Sequence, residues 1–158
     1  MAEKEVLMSL EGLKKMEDEL ELLKSIRRKE VAERIKQAIE FGDISENSEY
    51  EDAKNEQAFI EGSIIDLEKK LRNAKIIDVS EVSLSSVSVG CRVRVLNMTN
   101  DLEMNFEIVG SVDAEPAKGR ISNESPVGRG LVGHAVGEIV EIPIPAGSAS
   151  FKILNISR

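Results

Sequence analysis

The chain has 158 residues, with 29 acidic against 21 basic side chains and a formal net charge of −8. Only 3% of it is aromatic, Trp is absent and 32% is charged, which argues against one large core and suits a long solvated helical pair. Residues 1–75 hold 14 basic and 19 acidic side chains and residues 76–158 hold 7 and 10, so neither half is a basic module. Independent affinity for nucleic acid is not expected, and any such role has to come through a protein partner.

Ser9 suits a helix N-cap, and Leu10, Leu13, Met16, Leu20, Leu23, Ile26, Val31, Ile35 and Ala38 form an apolar pattern that predicts a helix running to Phe41. Arg27-Arg28-Lys29-Glu30 interrupts the stripe, with no Pro to end the helix there. The stretch Gly42-Asp43-Ile44-Ser45-Glu46-Asn47 breaks the pattern. A second helix is expected from about Asn47 to Ala74, where Ala53, Gln57, Ile60, Ile64, Leu67, Leu71 and Ala74 alternate steps of four and three, the spacing of a coiled-coil seam. So short a break makes an antiparallel hairpin, and arms of about 30 residues reach on the order of 45 Å. Gly42 suits a left-handed C′ position, and Asp43 or Ser45 suits the cap of the second helix.

From Lys75 the period moves towards two. Residues 75–79 predict a short strand, followed by a Ser-rich connector over 80–88. Residues 92–96, 105–109, 139–144 and 150–156 predict four further strands. Between them Ser125 caps a short helix whose first residue is Pro126. The fold class is therefore α+β: a two-helix coiled-coil hairpin over 1–76, then a small antiparallel β domain with one short helix over 77–158. The single cysteine, Cys91, excludes an intrachain disulfide and reads as a small buried strand residue. No N-terminal signal-peptide pattern and no apolar run of about 20 residues is present, which predicts a cytoplasmic protein.

Asp43 and Glu46 admit two readings: a metal or catalytic pair at the hairpin tip, or solvated acids favouring the N-terminus of the second helix. If a metal is involved, Mg²⁺ fits, because it takes hard oxygen ligands and is commonly held by one or two carboxylates plus phosphates. Such a site is incomplete alone. Phe41 and Tyr50 flank the acids, either stapling the turn by packing on each other or touching a substrate. Lys54 suits a phosphate contact or a surface ion pair. Arg27, Arg28 and Lys29 read as a solvated face, with partner docking as the alternative. His134 has no companion nucleophile, and the Gly-rich residues 128–137 match no phosphate-binding loop.

The tip Gly42-Asp43-Ile44-Ser45-Glu46-Asn47-Ser48-Glu49-Tyr50 closely resembles that of the bacterial Gre transcript-cleavage and elongation factors. So do Leu22-Leu23-Lys24-Ser25-Ile26-Arg27-Arg28, Ile121-Ser122-Asn123-Glu124-Ser125-Pro126-Val127 and Leu131-Val132-Gly133. The likeness spans almost the whole chain in order and is nearest to the GreA type. It implies a coiled-coil hairpin and an FKBP-like C-terminal domain that docks on bacterial RNA polymerase, Glu124, Ser125 and Pro126 occupying the docking loop. The resemblance further implies that the hairpin enters the secondary channel, where Asp43 and Glu46 help hold a second Mg²⁺ and orient the attacking water. The polymerase then cleaves backtracked RNA, so the chain is an accessory factor and not an enzyme in itself. Asn47, Tyr50 and Lys54 match or neighbour tip positions that contact RNA or hold the turn. Family members often carry basic residues where this chain has Ile39 and Ser45, a departure that favours release of short RNA fragments. Phe106 and Phe151 are too few aromatics for a proline-isomerase pocket. A monomer is expected, because the hairpin satisfies its own seam.

Overall fold

A computed structural model describes residues 4–42 and 48–158. Two compact units form, residues 13–73 and residues 1–12 with 74–158.

In the helical unit, α1 (Leu10–Leu22) passes through a π-helical turn at Leu23–Arg27 into α2 (Arg28–Glu40), and α3 (Ser48–Arg72) packs antiparallel to α2 as the partner arm. The seam is that of the apolar spacing: Ala53, Ile60, Ile64 and Leu67 of α3 are buried, and Val31 clusters with Ile60 and Ile64 under Leu20, Leu23 and Ile35. Three expected seam residues are not in it, Ala74 among them because α3 ends at Arg72 and Ala74 pairs as a strand residue with Val6. Leu10 is 68% and Ile26 48% exposed, Leu10 because it is the first residue of its helix and Ile26 because it lies in the π turn. That turn has a cause in the sequence. Leu23 and Val31 are separated by one residue more than a heptad provides, and a single wide turn absorbs the surplus. The Arg28 N–H reaches the Leu23 carbonyl, and the Ser25 hydroxyl donates to the Glu21 carbonyl at 2.6 Å.

In the β unit, β1 (Val6–Met8) and β2 (Ala74–Ile76) form a parallel pair, Val6 opposite Ala74. The sequence division at 76/77 puts both with the hairpin. They cluster instead with the β unit, because Ile77 N–H bonds the Met8 carbonyl at 3.0 Å and Ser9 bonds Asp113. The main sheet runs β5 (Arg120–Ser122), β4 (Leu102–Val109), β3 (Arg92–Asn97), β7 (Gly147–Ser157), β6 (Ile139–Ile144). It is mixed, not wholly antiparallel: β5 pairs parallel with β4. One face carries the core, with Val95, Ile108, Leu131, Ile142 and Ile153 fully buried. Each contributes roughly 1.5–3 kcal/mol by leaving water. Cys91 is also fully buried, just before β3, with its thiol 3.5 Å from the Ser88 hydroxyl. A bulge interrupts the β3–β7 ladder: Arg94 pairs with Asn155 but Val95 with Ile153, leaving Leu154 without a partner. Among the described residues no helix is long and apolar enough to cross a membrane.

Candidate functional site

At the end of α2 the N–H groups of Phe41 and Gly42 reach back to the Ala38 and Ile39 carbonyls at 3.3 Å. Gly42 has φ +128°, a backbone that a side chain would strain. Asp43, Glu46 and Asn47 lie outside the described residues, with Ile44 and Ser45 between them. The chain resumes at Ser48 with Glu49 and Glu51 in the first turn of α3, where acids complement the helix dipole. Phe41 is 87% exposed. A ring so bare does not staple the turn against Tyr50, which is itself half-buried. Lys54 Nζ donates to Gln57 Oε1 at 3.2 Å along α3. The structure thus places Tyr50 and Lys54 in the first two turns of the helix that follows the acids.

Behind this end, Arg27 and Arg28 are not a free solvated face. Arg28 donates to both carboxylate oxygens of Glu61, at 2.8 and 2.9 Å, and Arg27 to Glu56 at 2.7 Å. Arg34 also pairs with Glu56 and lies 3.8 Å from Glu49, and Lys24 lies 2.6 Å from Glu68. These bridges link the first arm to α3. Each is exposed and individually weak, yet the bidentate Arg28–Glu61 fork specifies register. Its hydrogen bonds hold the Glu61 carboxyl below the usual carboxylate range and raise the Arg28 guanidinium.

The second predicted set, Glu124, Ser125 and Pro126, is held on three sides. Ser125 caps α4 (Pro126–Leu131): its hydroxyl accepts from Gly128 N–H at 3.2 Å and donates to the Ser122 carbonyl at 2.6 Å. Pro126 follows at the first helical position, where its missing N–H costs nothing, and Leu131 anchors the helix in the core. Gly128 is required for close approach, since a Cβ there would lie 2.0 Å from the Ser122 carbonyl oxygen. The exposed Glu124 carboxylate accepts from Lys4 Nζ at 2.6 Å and from the Ser111 hydroxyl at 2.9 Å. The Lys4 contact, then Ser111, holds its carboxyl below the usual range. Its carbonyl accepts from Arg129 at 3.1 Å. Lys4 and Ser111 carry no sequence signal for this role; they come to Glu124 from segments 120 and 13 residues away.

His134 is structural. Its Nδ1 lies 2.7 Å from Glu138 Oε2, and its carbonyl accepts from Val87 N–H at 2.8 Å. Among the described residues no group of three or more His, Cys, Asp or Glu is arranged to hold a metal ion.

Two family models match the chain: transcription elongation factor, N-terminal, over residues 6–76, and transcription elongation factor, GreA/GreB, C-term, over residues 82–158. A protein named transcription elongation factor GreA from Acetivibrio thermocellus is 56% identical over 155 residues, 98% of each chain. One of the same name from Clostridium perfringens is 54% identical over 158 residues, the full length of both. A solved structure of the transcription factor Gfh1 shares 28% identity over 99% of each chain, with a TM-score of 0.47. With both models in chain order and relatives of this identity along its whole length, the chain belongs to the GreA/GreB family of transcription elongation factors.

Proposed function

We propose that the chain stimulates the cleavage of backtracked nascent RNA by bacterial RNA polymerase, acting as an accessory factor in the cytoplasm and not as an enzyme on its own. One observation carries the reading. Asp43 and Glu46 fall in the short break between two arms that pair along an apolar seam, which is where a factor entering the polymerase secondary channel needs its acids. In support, the Glu124–Ser125–Pro126 loop is fixed by a cap, a proline and two hydrogen bonds to one carboxylate. It offers a preorganised docking surface, which lowers the ordering cost of binding.

Asp43 and Glu46 supply hard oxygen donors of the kind Mg²⁺ takes, but two carboxylates are too few to hold it tightly. The remaining ligands come from the polymerase and the RNA. A second Mg²⁺ held there would supply Lewis-acid charge neutralisation to the phosphodiester cleavage. The two carboxylates orient the attacking water by accepting its hydrogen bonds. Asn47, Tyr50 and Lys54 contact the RNA 3′ end or hold the turn. The −8 charge is no obstacle, because docking is between proteins.

The test uses a stalled polymerase complex with and without Mg²⁺. Wild type shortens the RNA in a Mg²⁺-dependent way, while Asp43→Ala and Glu46→Ala lose most cleavage and keep polymerase binding. Slowed synthesis without shortened RNA would make the chain a channel-plugging inhibitor. Equal loss of binding in both variants would make the acids docking groups.

A further inference from the structure

The outer face of the five-stranded sheet carries two cations that the fold leaves without a counter-charge. Arg92 and Arg94 alternate along β3 with the buried Val93 and Val95, so both face solvent. Arg92 lies opposite Glu107 on β4, but that carboxylate is 3.3 Å from Nε of Arg120 on β5. Arg94 lies between two neutral amides, Asn105 on β4 and Asn155 on β7. Among the described residues neither Arg92 nor Arg94 forms an ion pair, in a chain with 29 acidic side chains. They line an open groove of about 420 Å³ in which Glu107 is the sole acid; Lys118 also lines it but is paired with Glu115 at 3.1 Å.

The bulge in β7 builds this face. Ala149, Phe151 and Ile153 point to the core, and strict alternation would send Asn155 and Ser157 there too. The unpaired Leu154 shifts the phase by one, so Ile156 takes the core position and Asn155 and Ser157 join Arg94 and Arg92 outside. The sequence therefore spends a backbone irregularity on gathering hydrogen-bond donors around two arginines.

We infer that this groove binds a phosphate-bearing small molecule, held by the Arg92 and Arg94 guanidinium groups with Asn105 and Asn155 completing the donor set. Guanidinium forks match phosphate oxygens bidentately. The groove falls within the roughly 300–1,000 Å³ range of small-ligand sites. A long polyanion such as RNA is disfavoured, because it extends into the field of an acidic chain, whereas a compact anion feels chiefly the local cations. This inference does not depend on the proposed role in RNA cleavage.

The test titrates the full chain with pyrophosphate, inorganic phosphate and citrate at low salt by calorimetry, following the side-chain amide signals of Asn105 and Asn155 by NMR. Pyrophosphate is expected to bind and to shift both amide signals. Binding should weaken at least about tenfold in the Arg92→Gln/Arg94→Gln double variant. Asn155→Asp, which keeps both arginines and supplies an internal counter-charge, should weaken it comparably, with Tm within a few degrees of wild type in each case. The inference is overturned if neither phosphate probe binds, if binding survives both variants, or if citrate binds as tightly as pyrophosphate. It is equally overturned if a single-stranded RNA oligomer binds through Arg94 more tightly than pyrophosphate does.

Discussion

Ser9 and Asp113 lie 104 residues apart in sequence and meet through two hydrogen bonds, the Ser9 N–H donating to one carboxylate oxygen at 2.8 Å and its hydroxyl to the other at 2.7 Å. The same hydroxyl accepts from Gly12 N–H at 3.0 Å, so it caps α1 while tying the helix start to the β unit. Removing the carboxylate in Asp113→Ala leaves donors unpaired and should cost about 1–3 kcal/mol, read by urea unfolding. A Cβ on Gly12 would lie 2.4 Å from the Asp113 carboxylate, so Gly12→Ala should destabilise the wild type. In the Asp113→Ala background the same change should turn neutral or stabilising, since Ala is the better helix former by about 1 kcal/mol. A double-mutant cycle with no coupling would remove this contact from the account.

The Arg28–Glu61 fork makes hairpin stability depend on pH. Arg28's hydrogen bonds depress the Glu61 carboxyl in the folded state. Its contribution is therefore complete above the ordinary carboxylate value of about 4.5 and is lost as pH falls through the depressed folded value. Thermal melts followed by helical circular dichroism should show a steeper acid-side fall in wild type than in Glu61→Gln. The difference should shrink in 1 M salt, where the screening length is about 3 Å. Parallel pH curves would exclude the pair as a contributor.

Gly128→Ala tests whether the Glu124–Ser125–Pro126 loop docks on polymerase, apart from the tip. The new Cβ would collide with the Ser122 carbonyl and push Ser125 and Pro126 out of place. The expected outcome is polymerase binding weakened at least about tenfold, with cleavage restored at higher factor concentration. Asp43→Ala should resist such rescue. If Gly128→Ala binds normally, this loop does not dock.

Deleting Ser25 should remove the π turn and restore a heptad step between Leu23 and Val31 without moving either seam segment. The arm then becomes regular α-helix, and circular dichroism should show a hairpin that still melts cooperatively. Loss of cooperative melting would mean that the wide turn, and not the seam, sets how the arms pair.

Much of this was legible where a residue's neighbours in sequence are also its neighbours in space. The four-three steps in α3, the caps Ser9 and Ser125, and Pro126 after its cap are local patterns, and each forms. The strands β1 and β5 were not legible, because Val6-Leu7-Met8 and Arg120-Ile121-Ser122 are too short to show a period and their partners are remote or parallel. The phase shift at Leu154 was hidden for a related reason: a bulge is defined by the opposite strand. The π turn showed only as a gap in the stripe. Of the site, the loop at Ser125 could be read from its cap, whereas Lys4 and Ser111 come to Glu124 from distant segments.

The parallel pairing of β1 with β2 gives the hairpin a second description. Parallel strands need a crossover connection, and here that connection is the whole helical hairpin, residues 9–73 between Met8 and Ala74. Zipping the helices shortens the loop the strands must close, and pairing the strands shortens the loop the helices must close. Each closure thus lowers the entropic cost of the other. A fault in the β1 strand should therefore register as fraying of the hairpin's base, even though none of the described residues before Leu10 is helical.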